Sequence, residues 1–159
     1  MQDLHIAAYQ MDIQNAKKEE NLKKVQQTIS ENHRKEIDLW ALPEMFTTGF
    51  TYSHFVNLAE DLENSITLNK LMKISEEFTT NIAGSYLIKD SKKGTYHNLG
   101  FIVTPQNGLS YTYNKIHLWG DEKNYFTAGL DLVEPISINW KAKVGLAICY
   151  DLRFPEVYR

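Results

Sequence analysis

Ile37-Asp38-Leu39-Trp40-Ala41-Leu42-Pro43-Glu44 sets the reading of the whole chain. Its large apolar residues predict a buried strand, and Pro43, which has no amide proton for a ladder, ends it. Glu44 then stands just past the strand's C-terminal end. Layered α/β proteins often put working carboxylates there, because the strand fixes the backbone while the following loop leaves the side chain accessible. Toward the N-terminus, Leu22, Val25 and Ile29 fall on one helical stripe, with Lys17, Lys18, Glu19, Glu20, Lys23 and Lys24 facing away. Asp12 to Lys17 is the turn into that helix, and Leu4 to Met11 reads as a first buried strand.

Toward the C-terminus, Met45 to Phe55 is an aromatic, glycine-containing loop suited to lining a pocket or an interface. Leu68, Leu71, Met72, Ile74 and Phe78 mark a second amphipathic helix, with Ser65 or Thr67 as its cap. Asn81 to Ile88 and Tyr96 to Thr104 read as a hairpin around Asp90-Ser91-Lys92-Lys93-Gly94. Pro105-Gln106-Asn107-Gly108 turns the chain back into Leu109 to Asn114, since Asn-Gly readily supplies positive φ, and Lys115 follows that strand. Ile136 to Trp140 and Lys143 to Ile148 complete the strands, the second carrying Cys149 at its C-terminal edge. Glu44, Lys115 and Cys149 are thus expected at three strand ends.

No repeat, low-complexity tract or linker divides the chain, so residues 1–159 are expected to form one domain. Phe154-Pro155-Glu156-Val157-Tyr158-Arg159 has the look of a helix start that ends within two turns. The expectation is a chain truncated, cleaved or completed by another polypeptide.

The 159 residues are 43% hydrophobic and 23% charged, as in a globular domain. With 17 basic against 20 acidic residues, a net charge of -3 provides no field for nucleic acid or anionic membrane. The N-terminus lacks a basic region followed by an apolar run, and no apolar run reaches membrane-spanning length, so a cytoplasmic setting is expected. There is one cysteine, hence no internal disulfide. Paired cysteines, His-Glu-x-x-His and a glycine-rich phosphate loop are all missing, so no metal and no cofactor is expected.

Cys149 lies where an apolar strand breaks into a polar turn, a place where a thiol is both rigidly held and exposed. The amide N–H of Tyr150 can there point at an oxyanion on an attacked carbon. A thiol with an ordinary pKa of about 8.5 needs a base or a cation beside it. Glu44 is the candidate base, and Lys115 the candidate cation for thiolate and oxyanion.

Leu42-Pro43-Glu44-Met45-Phe46, Tyr113-Asn114-Lys115-Ile116-His117-Leu118 and Cys149-Tyr150-Asp151-Leu152-Arg153-Phe154-Pro155-Glu156 resemble, in order, the Glu, Lys and Cys motifs of the nitrilase superfamily. The resemblance runs along essentially the whole chain from Ile6-Ala7-Ala8-Tyr9-Gln10. It implies an αββα sandwich, of which this chain would hold the N-terminal part, and a Glu-Lys-Cys triad hydrolysing a non-peptide C–N bond through a thioester. A second family glutamate is best matched by Glu122, with Asp121 as neighbouring competitor, and Phe126-Thr127-Ala128-Gly129 resembles the segment that follows. The cysteine motif looks most like the ω-amidase branch, which acts on 2-oxo-dicarboxylic acid monoamides such as 2-oxoglutaramate. Arg153 would then meet a substrate carboxylate, unless it pairs with Asp151 or Glu156, and Phe46, Thr48 and Phe50 would line the pocket. The resemblance also suggests a homodimer or higher oligomer, or a second chain supplying the C-terminal half. The competing readings are a nitrilase or N-carbamoyl amine amidohydrolase, a Cys–His hydrolase using His117, and a non-catalytic fragment acting as an assembly partner.

Overall fold

The periodicities fold into three stacked layers in the computed structural model, which describes residues 3–139 and 142–159. In chain order the elements are β1 (Ile6–Ala8), α1 (Lys18–Asn32), β2 (Leu39–Ala41), α2 (Phe55–Leu58), β3 (Glu60–Asp61), α3 (Ile66–Phe78), β4 (Asn81–Asp90), β5 (Thr95–Thr104), β6 (Gly108–Asn114), α4 (Glu122–Tyr125), β7 (Ile136–Ile138) and β8 (Ala142–Val144). The main sheet runs β1-β2-β4-β5-β6, with β3 beside the far half of β4. β1, β2 and β4 are parallel, whereas β4, β5 and β6 form an antiparallel meander.

Helices α1 and α3 cover one face of this sheet. Leu22, Val25, Ile29, Leu68, Leu71 and Ile74 pack there with Ile82, Tyr86, Phe101 and Val103. Each such side chain contributes about 1.5–3 kcal/mol on burial. On the opposite face, Leu39, Ala83, Ile102, Tyr111 and Tyr113 pack against Ile138 of the β7–β8 pair and Ile148. Helices, large sheet and small sheet correspond to the α, β and β layers of the expected sandwich. Among the described residues, no helix is long and apolar enough to cross a membrane.

The local chemistry explains the element ends. Ser65 caps α3, its hydroxyl accepting from the Leu68 amide at 3.0 Å. Asp90 accepts from the amides of Lys92 and Lys93 to form the hairpin turn, and Gly108 takes φ +63° after Pro105-Gln106-Asn107.

Three expectations change. The first two strands are shorter than the apolar runs, although Tyr9 N–H to Ala41 O and Leu42 N–H to Ala83 O continue the pairing past their ends. Lys143 to Ile148 is not one strand. Only Ala142–Val144 pairs with β7, and Cys149 opens a short 3-10 turn, Cys149–Arg153, instead of ending a strand. The reason is local: the Ile148 amide is drawn to Asp151 Oδ2 at 2.9 Å, which bends the chain out of the extended form. Trp140, expected in the preceding strand, lies outside the described residues. Finally, Pro155–Tyr158 is a 3-10 turn with proline at its start, not the opening of an α-helix.

Candidate active site

Glu44 is set by the turn that follows β2. The Met45 amide donates to Ser85 Oγ at 3.1 Å and the Phe46 amide to Ser85 O at 3.2 Å, fastening the turn to β4. Lys115 is held by its own backbone, with N–H donating to Asn98 O at 3.1 Å and C=O accepting from Gly129 N at 2.9 Å.

The Lys115 ammonium, only 2% exposed as a residue, donates to Glu44 Oε1 at 2.8 Å and to Glu122 Oε1 and Oε2 at 2.9 and 2.8 Å. Burial, the largest single influence, depresses the lysine pKa, but hydrogen bonds and charge from Glu122 and Glu44 together hold it above the ordinary value. Glu122 also accepts from the Trp119 amide at 2.7 Å. Of the two adjacent acids, Glu122 is buried against the lysine, whereas Asp121 is exposed. Asn98 on β5 adds a fourth group, its Nδ2 donating to Glu44 Oε1 at 2.8 Å.

Cys149 is exposed and has φ +47°, a left-handed conformation that costs a non-glycine residue roughly 1–2 kcal/mol. Partial burial of the thiol pushes its pKa up most. The negative charge of Glu44 and a hydrogen bond to it push the same way, while Lys115 opposes. The thiol thus shares an electrostatic environment with Glu44, Lys115 and Glu122, and rests protonated facing the Glu44 carboxylate. Beside it, Leu146, Ala147 and Ile148 face Ala41, Leu42, Ala83 and Ser85 across an open cleft of about 230 Å³ that also exposes Glu44 and Cys149.

The strained turn is anchored by Asp151, which is fully buried. Its carboxylate accepts from Tyr113 Oη at 2.8 Å, from the His117 amide at 2.9 Å, from the His117 ring Nδ1 at 2.8 Å and from the Ile148 amide. Tyr113 and His117 flank Lys115 by two residues on either side, so one carboxylate ties the lysine segment to the cysteine turn. His117 also stacks on Phe154, with ring centroids 3.5 Å apart. Burial and the nearby Glu122 and Asp121 raise the Tyr52 hydroxyl pKa, which puts this ring at the border of the cluster, stacked on Tyr125 at 4.2 Å.

The other expected site residues fare differently. Phe46 and Thr48 are fully buried: Phe46 belongs to the core under α1 and α3 and contacts Phe101, and Thr48 donates to Gly49 O. Both are corrected from pocket lining to interior, because the loop turns those two positions inward. Phe50 is 42% exposed, with its ring edge on Tyr52. Arg153 is exposed, and Asp151 is committed to Tyr113, His117 and Ile148. Tyr150 directly follows Cys149 in the turn, with its ring edge on Phe154. Asn98, Tyr52 and the Asp151 anchor were missed. The asparagine directly preceding the apolar run Leu99 to Val103 was the available signal for the first.

Gly129 is where the fit around Lys115 is closest. A Cβ there would lie 2.1 Å from Asn114 O and 2.9 Å from Asn114 C, both backbone atoms with no means of yielding. Gly129→Ala is expected to destabilise the chain by about 1–3 kcal/mol. The check is the urea unfolding midpoint, with Gly145→Ala, where the nearest atom lies at an ordinary 3.5 Å, as the control.

The carbon-nitrogen hydrolase family model matches residues 5–159. A hydrolase in the agr operon of Staphylococcus aureus is 29% identical over 98% of this chain and 60% of its own length. A 2-oxoglutaramate amidase of Bacillus subtilis is 32% identical over 97% of this chain and 58% of its own. Among solved structures, a CN-hydrolase superfamily protein from Xanthomonas campestris, determined with an arsenic adduct in its active site, superposes with a TM-score of 0.87 at 27% identity. That match covers 100% of this chain and 58% of the other. The chain therefore spans about three fifths of the length of these relatives, and its layers are the corresponding part of the nitrilase-type αββα sandwich. By sequence and by fold, this chain belongs to the carbon-nitrogen hydrolase family.

Proposed function

We propose that this chain carries the catalytic groups of an amidase that releases ammonia from the distal amide of a 2-oxo-dicarboxylic acid monoamide of the 2-oxoglutaramate type. The observation that carries the proposal is the direct Glu44–Lys115–Glu122 link beside the one cysteine, whose thiol faces Glu44. Glu44 takes the thiol proton as Sγ attacks the amide carbon. The carbonyl electrons move to oxygen, where Lys115 and the Tyr150 N–H stabilise the charge. Collapse breaks the C–N bond, and the proton held on Glu44 leaves with the nitrogen as ammonia. Glu44, assisted by Glu122, then draws a proton from water as its oxygen attacks the thioester, and the expelled thiolate recovers that proton. The similarity to a 2-oxoglutaramate amidase supports the acyl class, and Arg153 is the cation proposed for the substrate carboxylate.

Ammonia release across a panel of ω-amides, nitriles and N-carbamoyl compounds tests the substrate class, with mass spectrometry reading an acyl increment on Cys149. Preference for a nitrile or a carbamoyl compound would move the chain to another branch. The role of Glu44 has its own signature. Since its charge and hydrogen bond raise the thiol pKa, Glu44→Gln lowers that pKa toward the ordinary value, and iodoacetamide reacts faster at neutral pH. Ammonia release falls about a hundredfold in the same variant. Loss of turnover in His117→Ala but not in Glu44→Gln would replace this mechanism with a Cys–His one.

A further inference from the structure

We infer that Asn98 is a positioning residue for Glu44, fixing which carboxylate oxygen is left to exchange protons; the inference rests on Glu44 acting as the base. Asn98 is 1% exposed on β5 and makes two kinds of contact with the site. Its side-chain Nδ2 donates to Glu44 Oε1 at 2.8 Å, and its backbone oxygen accepts from the Lys115 amide at 3.1 Å. The Lys115 ammonium donates to the same Oε1 at 2.8 Å. With two donors on Oε1, that oxygen is occupied, and Oε2 is the one left for the thiol proton and afterwards for water.

A second observation points the same way. The Asn98 side-chain oxygen, Oδ1, is buried without a hydrogen-bond partner. An unpaired buried carbonyl oxygen is destabilising, and a leucine of similar size would avoid it, so the amide's worth lies in its donor. The orientation is fixed by the neighbour, since the reverse flip would put oxygen against a carboxylate. The other charged or titratable groups bearing on Glu44 are Lys115 in direct contact, Cys149 across the cleft, Glu122 on the far side of the ammonium, and the Tyr52 hydroxyl. None of these reproduces a neutral donor aimed at Oε1.

The test is amide hydrolysis by the full-length protein carrying Asn98→Leu, with Asn98→Ser beside it in case leucine does not fit and folding checked by circular dichroism. A positioning role lowers kcat about tenfold with KM within about twofold, and moves the acid-side fall of the rate to higher pH, because a carboxylate deprived of a donor holds its proton more firmly. A folded variant with unchanged kcat and pH profile, in a parent enzyme that needs Glu44, overturns the Asn98 inference and leaves the proposed function standing. A parent that hydrolyses no amide, or a Glu44→Gln variant with normal turnover, overturns the base assignment, and the role of Asn98 falls with it.

Discussion

Lys115→Met is expected to destabilise the chain by about 3–5 kcal/mol and to lower amide turnover by at least about a thousandfold. The ammonium sits between two carboxylates, within 2.9 Å of Oε1 of Glu44 and both oxygens of Glu122. Methionine fills a similar volume but leaves Glu122, 3% exposed, with only the Trp119 amide as a hydrogen-bond donor among the described residues. Removing one partner of a buried ion pair is far costlier than exchanging the whole pair for apolar groups. Catalysis suffers separately, since the cation proposed for the oxyanion is gone. Denaturant unfolding and ammonia release measure the two effects independently. A variant as stable as the parent would mean that the cluster is more hydrated than its geometry indicates. A stable but inactive one would confine the lysine's role to chemistry.

Asp151→Ala should be comparably severe for stability, with a different signature. Three buried or half-buried donors, the Tyr113 hydroxyl and the amides of His117 and Ile148, lose their acceptor at once, and each stranded donor costs about 1–3 kcal/mol. The losses overlap, so a total of about 3–5 kcal/mol is expected rather than their sum. Asp151→Asn keeps the shape and one acceptor oxygen, but turns the other position into a donor facing donors, and should recover only part of the loss. The functional signature is at Cys149. Its positive φ persists because Asp151 holds the Ile148 amide and the lysine segment together, so release of the anchor lets the turn relax and iodoacetamide labelling become insensitive to Glu44→Gln. Retention of that sensitivity in folded Asp151→Asn would show that the turn keeps its shape without the anchor.

Much of this architecture was legible in the residues. The stripe of Leu22, Val25 and Ile29, the Ser65 cap and the meander from Asn81 to Asn114 follow from periodicity and turn chemistry, which are local. Glu44 and Lys115 stood out through the wording around them, Leu42-Pro43-Glu44-Met45-Phe46 and Tyr113-Asn114-Lys115-Ile116-His117-Leu118, which resembles family motifs, since a charged residue at a strand end is by itself usually a solvated one. Gly145 to Ile148 misled because an extended, apolar segment can face a sheet without pairing to it, and composition does not separate the two. Phe46 and Thr48 were misplaced because a loop offers no period from which to read its inward side. Asn98 and Asp151 act on partners 54 and 34 to 38 residues away, and no local spacing encodes such meetings.

The two carboxylates on Lys115 come from very different distances along the chain: Glu122 is 7 residues away and Glu44 is 71. Loop-closure entropy grows with the logarithm of the intervening length, which makes the second contact roughly 2 kcal/mol harder to close than the first. By that arithmetic the lysine finds Glu122 early in folding, and Glu44 completes the trio only when the N-terminal strands dock on the meander. The acid proposed as proton acceptor is thus the costlier of the two contacts to close, so the lysine's second carboxylate depends on long-range docking where its first needs only a local loop.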